Sequence, residues 1–204
     1  MTKLIFATSN QNKMREIRMI LSDLDLDILS MKEAGIDIDI VEDGDSFAAN
    51  ARIKADAVYA ALKEKDGYGS IVIADDSGLE IDALNKEPGI YSARYMGEDT
   101  SYHIKNANLI ERLDGVPDEK RTARFVCAMA AVLPDGSKLD TLGIMEGRIG
   151  YEESGENGFG YDPIFVLPKY GCTSGFLPPE VKNEESHRGK ALRAMRDELL
   201  KVFG

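Results

Sequence analysis

The chain has 204 residues, of which 43% are hydrophobic, and a formal net charge of −11 from 36 acidic and 25 basic side chains. This length is enough to bury a hydrophobic core, and we predict a single domain over residues 1–204. The negative charge disfavours nucleic acid or an anionic membrane as the main partner, and a phosphate ligand would need a metal ion or a local group of basic residues.

The first part of the chain alternates between short apolar runs and helical patterns. A strand at 4–7 ends in a polar loop, and the helix that follows has its first apolar residue at Met14. A second strand is predicted at 27–30. A third, half-buried strand is predicted at 36–40, where three isoleucines alternate with acids. An Ala-rich helix is predicted from a cap at Ser46 to about Leu62.

A buried strand at 71–74 is predicted to run into a turn at 75–78, which places two carboxylates at the strand end. The later elements complete an α/β fold with a mixed sheet. A helix is predicted at 102–113, followed by a hairpin of two strands, 124–133 and 139–149, around a turn at 134–137. A further strand is predicted at 163–167. After a break at Pro178-Pro179, the last predicted helix has four apolar residues on one face: Leu192, Met195, Leu199 and Val202.

The compartment is predicted from what the sequence lacks. The opening segment carries one basic residue and too short an apolar run for a signal peptide, and no later run is long enough to cross a membrane. We therefore predict a cytoplasmic protein. Cys127 and Cys172 lack CxxC spacing, so we interpret them as reduced structural thiols without a chemical role.

The first candidate site is the polar loop between the first strand and the first helix. Backbone N–H groups at a helix start attract anions, and a lysine adds a positive charge. The spacing of a P-loop is absent, and simple capping of the helix by small polar residues is the alternative. The loop residues are Thr8, Ser9, Asn10, Gln11, Asn12 and Lys13.

The second candidate is the pair Asp75-Asp76 after the buried strand. Adjacent carboxylates repel each other unless a cation or hydrogen-bond donors offset their charge. Mg²⁺ is commonly held by one or two carboxylates together with phosphate and water oxygens. A further acid can come from the loop that carries Glu42, Asp43 and Asp45. A solvated turn with Asx hydrogen bonds is the alternative.

The third candidate is the glycine-rich segment 155–163. Its glycines let the backbone approach a ligand closely, and its two aromatic rings, Phe159 and Tyr161, offer flat faces to a nucleobase. A glycine-rich connection whose rings pack into the core is the alternative.

A fourth candidate is the group of donors at the start of the last helix, with Lys182 just upstream of Ser186-His187-Arg188-Gly189-Lys190. Basic donors at a helix N-terminus oppose the helix dipole, so the arrangement favours an acceptor-rich ligand. A basic surface patch is the alternative. His103 lacks such company, and we interpret it as structural or exposed.

Taken together, six motifs in this order resemble the inosine triphosphate pyrophosphatase family, also called dITP/XTP diphosphatases, over nearly the whole chain. The motifs are FATSNQNKMREI, SFAANARIKA, IADDSGLEIDAL, PGIYSARYMG, GFGYDPIF and SHRGKAL. The resemblance implies an elongated, two-lobed α/β fold with a long mixed sheet flanked by helices and the active site between the lobes. It also implies a homodimer.

The resemblance implies a role for each matching position. Thr8 to Lys13 would contact the triphosphate, and Asp76 would bind the metal and act as general base. Glu42 would be a second ligand of Mg²⁺, Ser77 a substrate contact and Lys54 a phosphate contact. The base and sugar would be bound by Phe159, Gly160, Tyr161 and Asp162, with Lys182, His187 and Arg188 reading the base or the phosphates.

One departure from the family's pattern is Ala48-Ala49, because relatives often carry an acid just before the Asn-Ala of this motif. If that acid assists the metal, its role falls more heavily here on Glu42 and Asp75.

The implied activity is hydrolysis of non-standard purine nucleoside triphosphates (ITP, dITP and XTP) to the monophosphate and pyrophosphate, which clears them from the nucleotide pool. Water would attack the α-phosphorus in line, while Lys13 and Lys54 stabilise the departing charge. Donors at His187-Arg188 would favour the 6-oxo acceptor of hypoxanthine over the 6-amino donor of adenine.

Three other functions fit parts of the pattern. The chain could be a Maf-type pyrophosphatase that prefers pyrimidine or modified nucleotides, although GFGYDPIF and SHRGKAL favour the purine interpretation. It could be a nucleotide sensor without turnover, against which Lys13, Lys54, Asp76 and His187 together argue. It could also be a phosphatase that releases orthophosphate.

Overall fold

The computed structural model describes residues 2–66 and 69–203, and within them seven strands share one sheet. The strands are β1 (Thr2–Phe6), β2 (Leu26–Ser30), β3 (Ser70–Ile81), β4 (Thr122–Val132), β5 (Lys138–Ile149), β6 (Phe165–Leu167) and β7 (Cys172–Thr173). Their order across the sheet is β2-β1-β3-β4-β5-β6-β7. β1 is parallel to β2 and β3, whereas β6 is antiparallel to β5 and β7, so the predicted mixed sheet is confirmed.

Five α-helices accompany the sheet in the described part of the chain: α1 (Gln11–Ile20), α2 (Phe47–Asp66), α3 (Tyr102–Arg112), α4 (Pro179–Glu185) and α5 (His187–Phe203). None of these described helices has the length and apolar character needed to cross a bilayer. The ends of the predicted domain, Met1 and Gly204, lie outside the described residues.

The chain divides into two compact units, each with its own core. The first unit comprises Met1–Asp76, Cys127–Gly143 and Arg188–Gly204. In its core, apolar residues of β1 and β3 pack against α1 and α5 in a cluster that includes Leu4, Phe6, Ile71, Ile73, Met14, Ile17, Leu192 and Met195. These helices are amphipathic, so burying their apolar faces fixes them against the sheet.

The second unit comprises Ser77–Val126 and Ile144–His187. Its core joins the second half of β3 and the first half of β4 to α3 and β6. Phe125 and Phe165 pack together in this core, with ring centroids 4.5 Å apart. This core supports the glycine-rich segment predicted to bind a base, since Tyr161 and Ile164 belong to the same cluster.

Most predicted elements are confirmed, but the strand at 36–40 is wrong. No strand is assigned there in the described structure, although Ile36 is buried and the acids at 37 and 39 are exposed. The alternating pattern here reflects burial of one side of an irregular segment. Alternation alone does not make a strand, because a strand also needs a neighbouring strand to pair with.

The predicted turn at 75–78 is also wrong, because β3 continues without interruption to Ile81. Asp75, Asp76 and Gly78 have low strand propensity, but packing in the sheet outweighs it. The pair of acids therefore lies in mid-strand.

Near the C-terminus, the break at Pro178-Pro179 is followed at once by α4, in which Pro179 is the first residue. Proline is favoured there because its missing N–H has no helical partner to lose. Pro163 and Ile164 lie in a 3-10 turn, so the predicted strand starts only at Phe165. Val202 is half exposed, so it does not share the burial of Leu192, Met195 and Leu199.

Candidate active site

The loop after β1 is an ordinary capped helix start that remains open to solvent. Asn10 is the N-cap of α1, and its Oδ1 accepts hydrogen bonds from the backbone N–H groups of Asn12 and Lys13 at 2.9 and 3.3 Å. The Thr8 hydroxyl oxygen accepts from the backbone N–H of Asn10. Because residues 9–12 are exposed, this loop can meet a ligand.

Asp75 is a buried carboxylate that faces two positively charged side chains. It is 1% exposed, and the Lys13 ammonium donates to both of its oxygens at 3.0 and 2.9 Å. The Arg188 Nε lies 3.6 Å from Asp75, and the same guanidinium binds Glu16 at 2.5 Å. Burial by itself raises the pKa of Asp75, but the charges of Lys13 and Arg188 outweigh burial and hold that pKa well below its usual range.

Asp76, the next residue, has different partners. Its Oδ2 accepts a hydrogen bond of 3.0 Å from the side-chain amide of Asn50, and the Lys54 ammonium lies 4.0 Å from its Oδ1. Burial raises the pKa of Asp76, and the nearby carboxylates of Glu42 and Asp75 raise it further. Lys54 and Asn50 offset this only in part, so the pKa stays above its usual value.

Strand geometry explains how neighbouring acids acquire unlike environments. Successive side chains of a strand point to opposite faces of the sheet. Asp75 meets residues of α1 and α5, whereas Asp76 meets Asn50 and Lys54 of α2. The repulsion expected between adjacent carboxylates is thus relieved by two separate sets of partners.

Glu42 belongs to the Asp76 side of this cluster. Its carboxylate binds the Lys54 ammonium at 2.8 Å, so one lysine links Glu42 and Asp76. The Asn50 amide also accepts a hydrogen bond from the backbone N–H of Gly44, which ties the loop that carries Glu42 to Asp76. Burial lowers the pKa of Lys54, but its acidic neighbours raise it by more, so the lysine stays charged.

These oxygens form a candidate site for a hard cation. In the described part of the chain, no group of three or more His, Cys, Asp or Glu side chains is placed to hold a metal ion. Two carboxylates, from Glu42 and Asp76, converge on the ammonium of Lys54. Two carboxylates fit a site that is completed by phosphate and water oxygens, as is common for Mg²⁺.

The glycine-rich segment in the second unit is organised around the buried carboxylate of Asp162. One oxygen accepts the backbone N–H of Phe159 at 2.8 Å and the Lys182 ammonium at 2.7 Å. The other oxygen accepts the Ser174 hydroxyl at 2.7 Å. Lys182 also lies 5.0 Å from the centre of the Phe159 ring. Asp162 therefore fixes the positions of two predicted substrate contacts.

Gly158 makes this arrangement possible. Its φ of +84° is a conformation that side chains disfavour, and a Cβ there would lie 2.3 Å from a carboxylate oxygen of Asp162. The same Cβ would lie 2.9 Å from the Lys182 ammonium. The sequence predicts that this glycine lets a ligand approach closely. In the structure, Gly158 leaves room for the side chains of Asp162 and Lys182.

Gly160 and Tyr161 are held from α3 and from the core. The Tyr161 hydroxyl donates to the carbonyl of Ser92 at 2.6 Å, and its ring meets the Tyr102 ring edge to face at 5.2 Å. Asn106 donates to the carbonyl of Gly160 at 3.3 Å. The Tyr161 ring is thus part of the core, as the alternative interpretation of this segment proposed.

The remaining predicted residues lie close to these two groups in the chain. Ser77 follows Asp76 on β3 and is partly buried. His187 begins α5, is 8% exposed and stacks on the ring of Phe125. His103 is exposed, as predicted, and its ring contacts Glu153.

Sequence reasoning missed three residues that organise the site. Asn50 carried a signal, because asparagine inside an Ala-rich helix lowers helix stability and so suggests a specific role. Glu16 showed no such signal, because its partner Arg188 is distant in sequence. Ser174 showed none either, because its partner Asp162 was predicted to contact the substrate.

Comparison with known proteins shows the family of this chain. The sequence profile of the Ham1 family matches residues 4–198. The chain belongs to the Ham1 family. It is 46% identical over 199 residues to a dITP/XTP pyrophosphatase of Clostridium perfringens, with 98% of each chain covered. It is 42% identical over 203 residues to the enzyme of the same name from Exiguobacterium sibiricum, with 99% of each covered.

Solved structures of Ham1 proteins share the fold. The Ham1 protein of Staphylococcus aureus superposes with a TM-score of 0.86 at 38% identity, covering 98% of this chain and 99% of that one. A Ham1 protein from Coxiella burnetii gives the same TM-score at 36% identity. These similarities confirm both the predicted α/β class and the family inferred from the six motifs.

Proposed function

We propose that this Ham1-family chain hydrolyses ITP, dITP and XTP to the monophosphate and pyrophosphate. The observation that carries the proposal is the pair of unlike acids on β3, with Lys13 and Lys54 beside them. This arrangement suits displacement at phosphorus, which needs one basic carboxylate among fixed positive charges. Relatives named dITP/XTP pyrophosphatase, similar over the whole chain, support the substrate class over the Maf-type alternative.

In the proposed reaction, Asp76 is the general base. Burial raises the pKa of Asp76, which is the direction that favours a general base, and Mg²⁺ at the same carboxylate would act in the opposite direction. A water molecule would attack the α-phosphorus while Asp76 takes its proton. The bond from the α-phosphorus to the bridging oxygen breaks, and pyrophosphate leaves with the electron pair. Asn50 orients Asp76 through the hydrogen bond to Oδ2.

The triphosphate would lie against the N-terminus of α1. Exposed residues of the loop Thr8–Asn12 and the ammonium of Lys13 supply donors and positive charge there. Lys13 is 19% exposed, and both oxygens of Asp75 hold it in place. Asp75 is therefore assigned to positioning Lys13 and Arg188 and not to the metal.

Glu42 and Asp76 would hold Mg²⁺, with the remaining ligands supplied by phosphate and water. When bound, the ion polarises the phosphoryl oxygens and offsets charge on the leaving group. Lys54 already offsets part of the charge of these two carboxylates. It would then be released toward the phosphates, in agreement with the phosphate contact predicted for it.

The base would be recognised in the second unit. Phe159 offers a stacking face, and Gly160, Tyr161 and Asp162 shape the surrounding backbone. Lys182, His187 and Ser77 are the proposed polar contacts of this unit to the base, sugar or phosphates, and Arg188 of the first unit is a further proposed contact. A site that bonds the 6-oxo group rejects adenine because its donors would be left unpaired against the 6-amino group.

Several coarser features complete the proposal. We treat residues 1–204 as one functional domain, because the family profile extends over nearly all of them. Free nucleotides as substrates are in keeping with a cytoplasmic enzyme, and a formal charge of −11 disfavours nucleic acid or membrane partners. The family resemblance also suggests a homodimer.

The deciding experiment is product analysis of purified protein incubated with ITP, XTP, GTP and ATP in the presence of Mg²⁺. We expect pyrophosphate with IMP or XMP, and little product from GTP or ATP. Orthophosphate would indicate a phosphatase instead. Preferred turnover of pyrimidine triphosphates would favour the Maf-type alternative, and nucleotide binding without any product would favour a sensor.

The metal proposal has its own test. Isothermal titration of Mg²⁺ into protein with bound nucleotide monophosphate should give a binding signal that Glu42→Gln weakens. The matched control is Glu33→Gln, which removes a carboxylate that pairs with Arg18 instead. Equal binding by wild type and Glu42→Gln would remove Glu42 from the site.

A further inference from the structure

Phe125, a residue of β4 that was not among the predicted site residues, stacks on the imidazole of His187. The two ring centroids are 4.9 Å apart and the ring planes differ by 12°. Phe125 is 7% exposed and His187 is 8% exposed, so the pair is shielded from water. Phe165 supports Phe125, with centroids 4.5 Å apart and an angle of 49°.

The plane of an imidazole decides where its hydrogen bonds point. Both ring nitrogens bond within the ring plane. The torsion that turns this plane has a broad, weakly preferred range, because it joins a tetrahedral carbon to a flat ring. The backbone of α5 therefore places the Cβ of His187 without fixing its ring. A parallel aromatic neighbour such as Phe125 restrains the plane of the ring.

We propose that Phe125 is a positioning residue for base discrimination. By stacking on the His187 imidazole, it holds this ring in the orientation that allows a hydrogen bond to the purine base. The inference rests on the proposed function and deepens it, since it assigns part of the selectivity to a residue that touches no substrate. Aromatic pairs contribute about 0.5–1.5 kcal/mol beyond their buried area, which corresponds to about a 2- to 12-fold effect.

The chain offers a matched pair of variants. Phe125→Leu keeps an apolar side chain in the core but removes the flat surface beneath His187. Phe165→Leu removes a ring from the same core cluster, and this ring packs on Phe125. We expect Phe125→Leu to lower the ratio of kcat/KM for ITP over ATP by about 2- to 12-fold, in line with the strength of aromatic pairs. Phe165→Leu should leave that ratio within twofold of wild type.

A double-mutant cycle separates positioning from general loosening of the core. If Phe125 acts through His187, then Phe125→Leu should leave the ITP/ATP ratio unchanged in a His187→Gln background. An unchanged ratio in the single variant, or an equal loss in both backgrounds, would overturn the inference. Phe125→Met replaces Phe125→Leu in the cycle if the latter does not fold.

A spectroscopic measurement reports on the same contact without turnover. The sequence has only two histidines, so His103→Gln leaves a single set of imidazole signals, those of His187. In that background Phe125→Leu should shift the His187 ring protons downfield by removing the ring current, and Phe165→Leu should shift them less. Equal shifts in the two variants would contradict the stacked arrangement as the restraint.

These outcomes are distinct from failure of the proposed function. If wild type releases no pyrophosphate from ITP, the function itself is wrong. If wild type prefers ITP and Phe125→Leu moves the His187 signals but not the ITP/ATP ratio, only the positioning role is wrong.

Discussion

The charge cluster of the first unit and the glycine-rich segment of the second both contain a buried carboxylate held by a lysine. Asp75 is balanced by charged groups, Lys13 and Arg188, and its neighbour Asp76 is left with a raised pKa. Asp162 is balanced by one lysine, a hydroxyl and a backbone N–H. The first arrangement divides charge unequally between two acids, and the second fixes the shape of a loop. Removing a carboxylate should therefore affect chemistry or stability in the first unit and substrate affinity in the second.

The largest effect should come from Asp76→Asn. Loss of the proposed base should lower kcat for ITP by about 10²- to 10⁴-fold, the usual range for general base catalysis. The protein should fold normally and be no less stable at pH 7, because burial disfavours the ionised carboxylate that the substitution removes. Pyrophosphate release and urea unfolding measure the two effects. Asp56→Asn on α2, which removes an exposed pair with Lys138, is the control. Activity near that of wild type would exclude Asp76 as the base.

Asp75→Asn should instead destabilise the fold. It leaves the Lys13 and Arg188 charges without their shared carboxylate, and breaking a buried ion pair typically costs about 3–5 kcal/mol in the free energy of unfolding. Asp140→Asn breaks the exposed pair with Arg52 and should cost less than about 1 kcal/mol. Urea unfolding at pH 7 compares the two variants. If the two variants lost equal free energies of unfolding, burial would not strengthen the ion pairs of Asp75.

The two acids should also respond oppositely to pH. The folded-state pKa of Asp75 is lowered, so its stabilising effect is complete above the unfolded pKa of about 3.9 and is lost as pH falls below that value. The folded-state pKa of Asp76 is raised, so its destabilising effect exists at neutral pH and is relieved on acidification. Urea unfolding from pH 7 to pH 3 should show a shallower loss of stability in Asp75→Asn than in wild type. Parallel curves would contradict this.

Gly158→Ala should disturb the second unit more than its backbone strain alone predicts. The new Cβ meets Asp162 and Lys182, so we expect KM for ITP, XTP and GTP to rise together. Gly115→Ala has a similar strain, at a φ of +72°, but its Cβ meets nothing within 4 Å. Both variants should lose about 1 kcal/mol or more of stability. Only Gly158→Ala should change KM, and an equal change in Gly115→Ala would refute the role of the contact.

Phe159→Ala should have the smallest effect. Base stacking on an aromatic ring contributes about 1–3 kcal/mol and scarcely distinguishes bases, so KM should rise by about tenfold for each purine. Steady-state kinetics with ITP, XTP and GTP provide the test. Tyr170→Ala removes an exposed aromatic ring of the same unit and should leave KM unchanged. A loss confined to ITP would show that Phe159 discriminates between bases.

Local patterns in the sequence predicted much of the fold. The apolar spacing of α1, α3 and α5 and the hairpin of β4 and β5 follow from periodicity and turn residues, which act over a few positions. The prediction of a strand at 36–40 was wrong because exposed acids that alternate with buried or half-buried isoleucines require no partner strand. The turn at 75–78 failed because acids and glycine remain in a strand when packing holds them there.

The site was predictable only as a set of residue types. Lys13 and Asp75 are 62 positions apart, and Arg188 and Glu16 are 172 apart, so no local pattern reveals these pairs. The roles of Asp75 and Asp162 as internal anchors depend on such contacts. His187 was named as a site residue, but its ring partner Phe125 looks like any apolar residue of a buried strand.

Because side chains alternate along β3, the position of each acid in the strand decides which face of the sheet it occupies, and a single insertion would change that assignment. A residue inserted before Asp75 without further adjustment would move Asp75 to the face that Asp76 now occupies, opposite Asn50 and Lys54. A carboxylate would still face α2, but the inserted residue would take the place of Asp75 beside Lys13 and Arg188. A designer who transfers this dipeptide to another sheet must therefore preserve its phase along the strand as well as its composition.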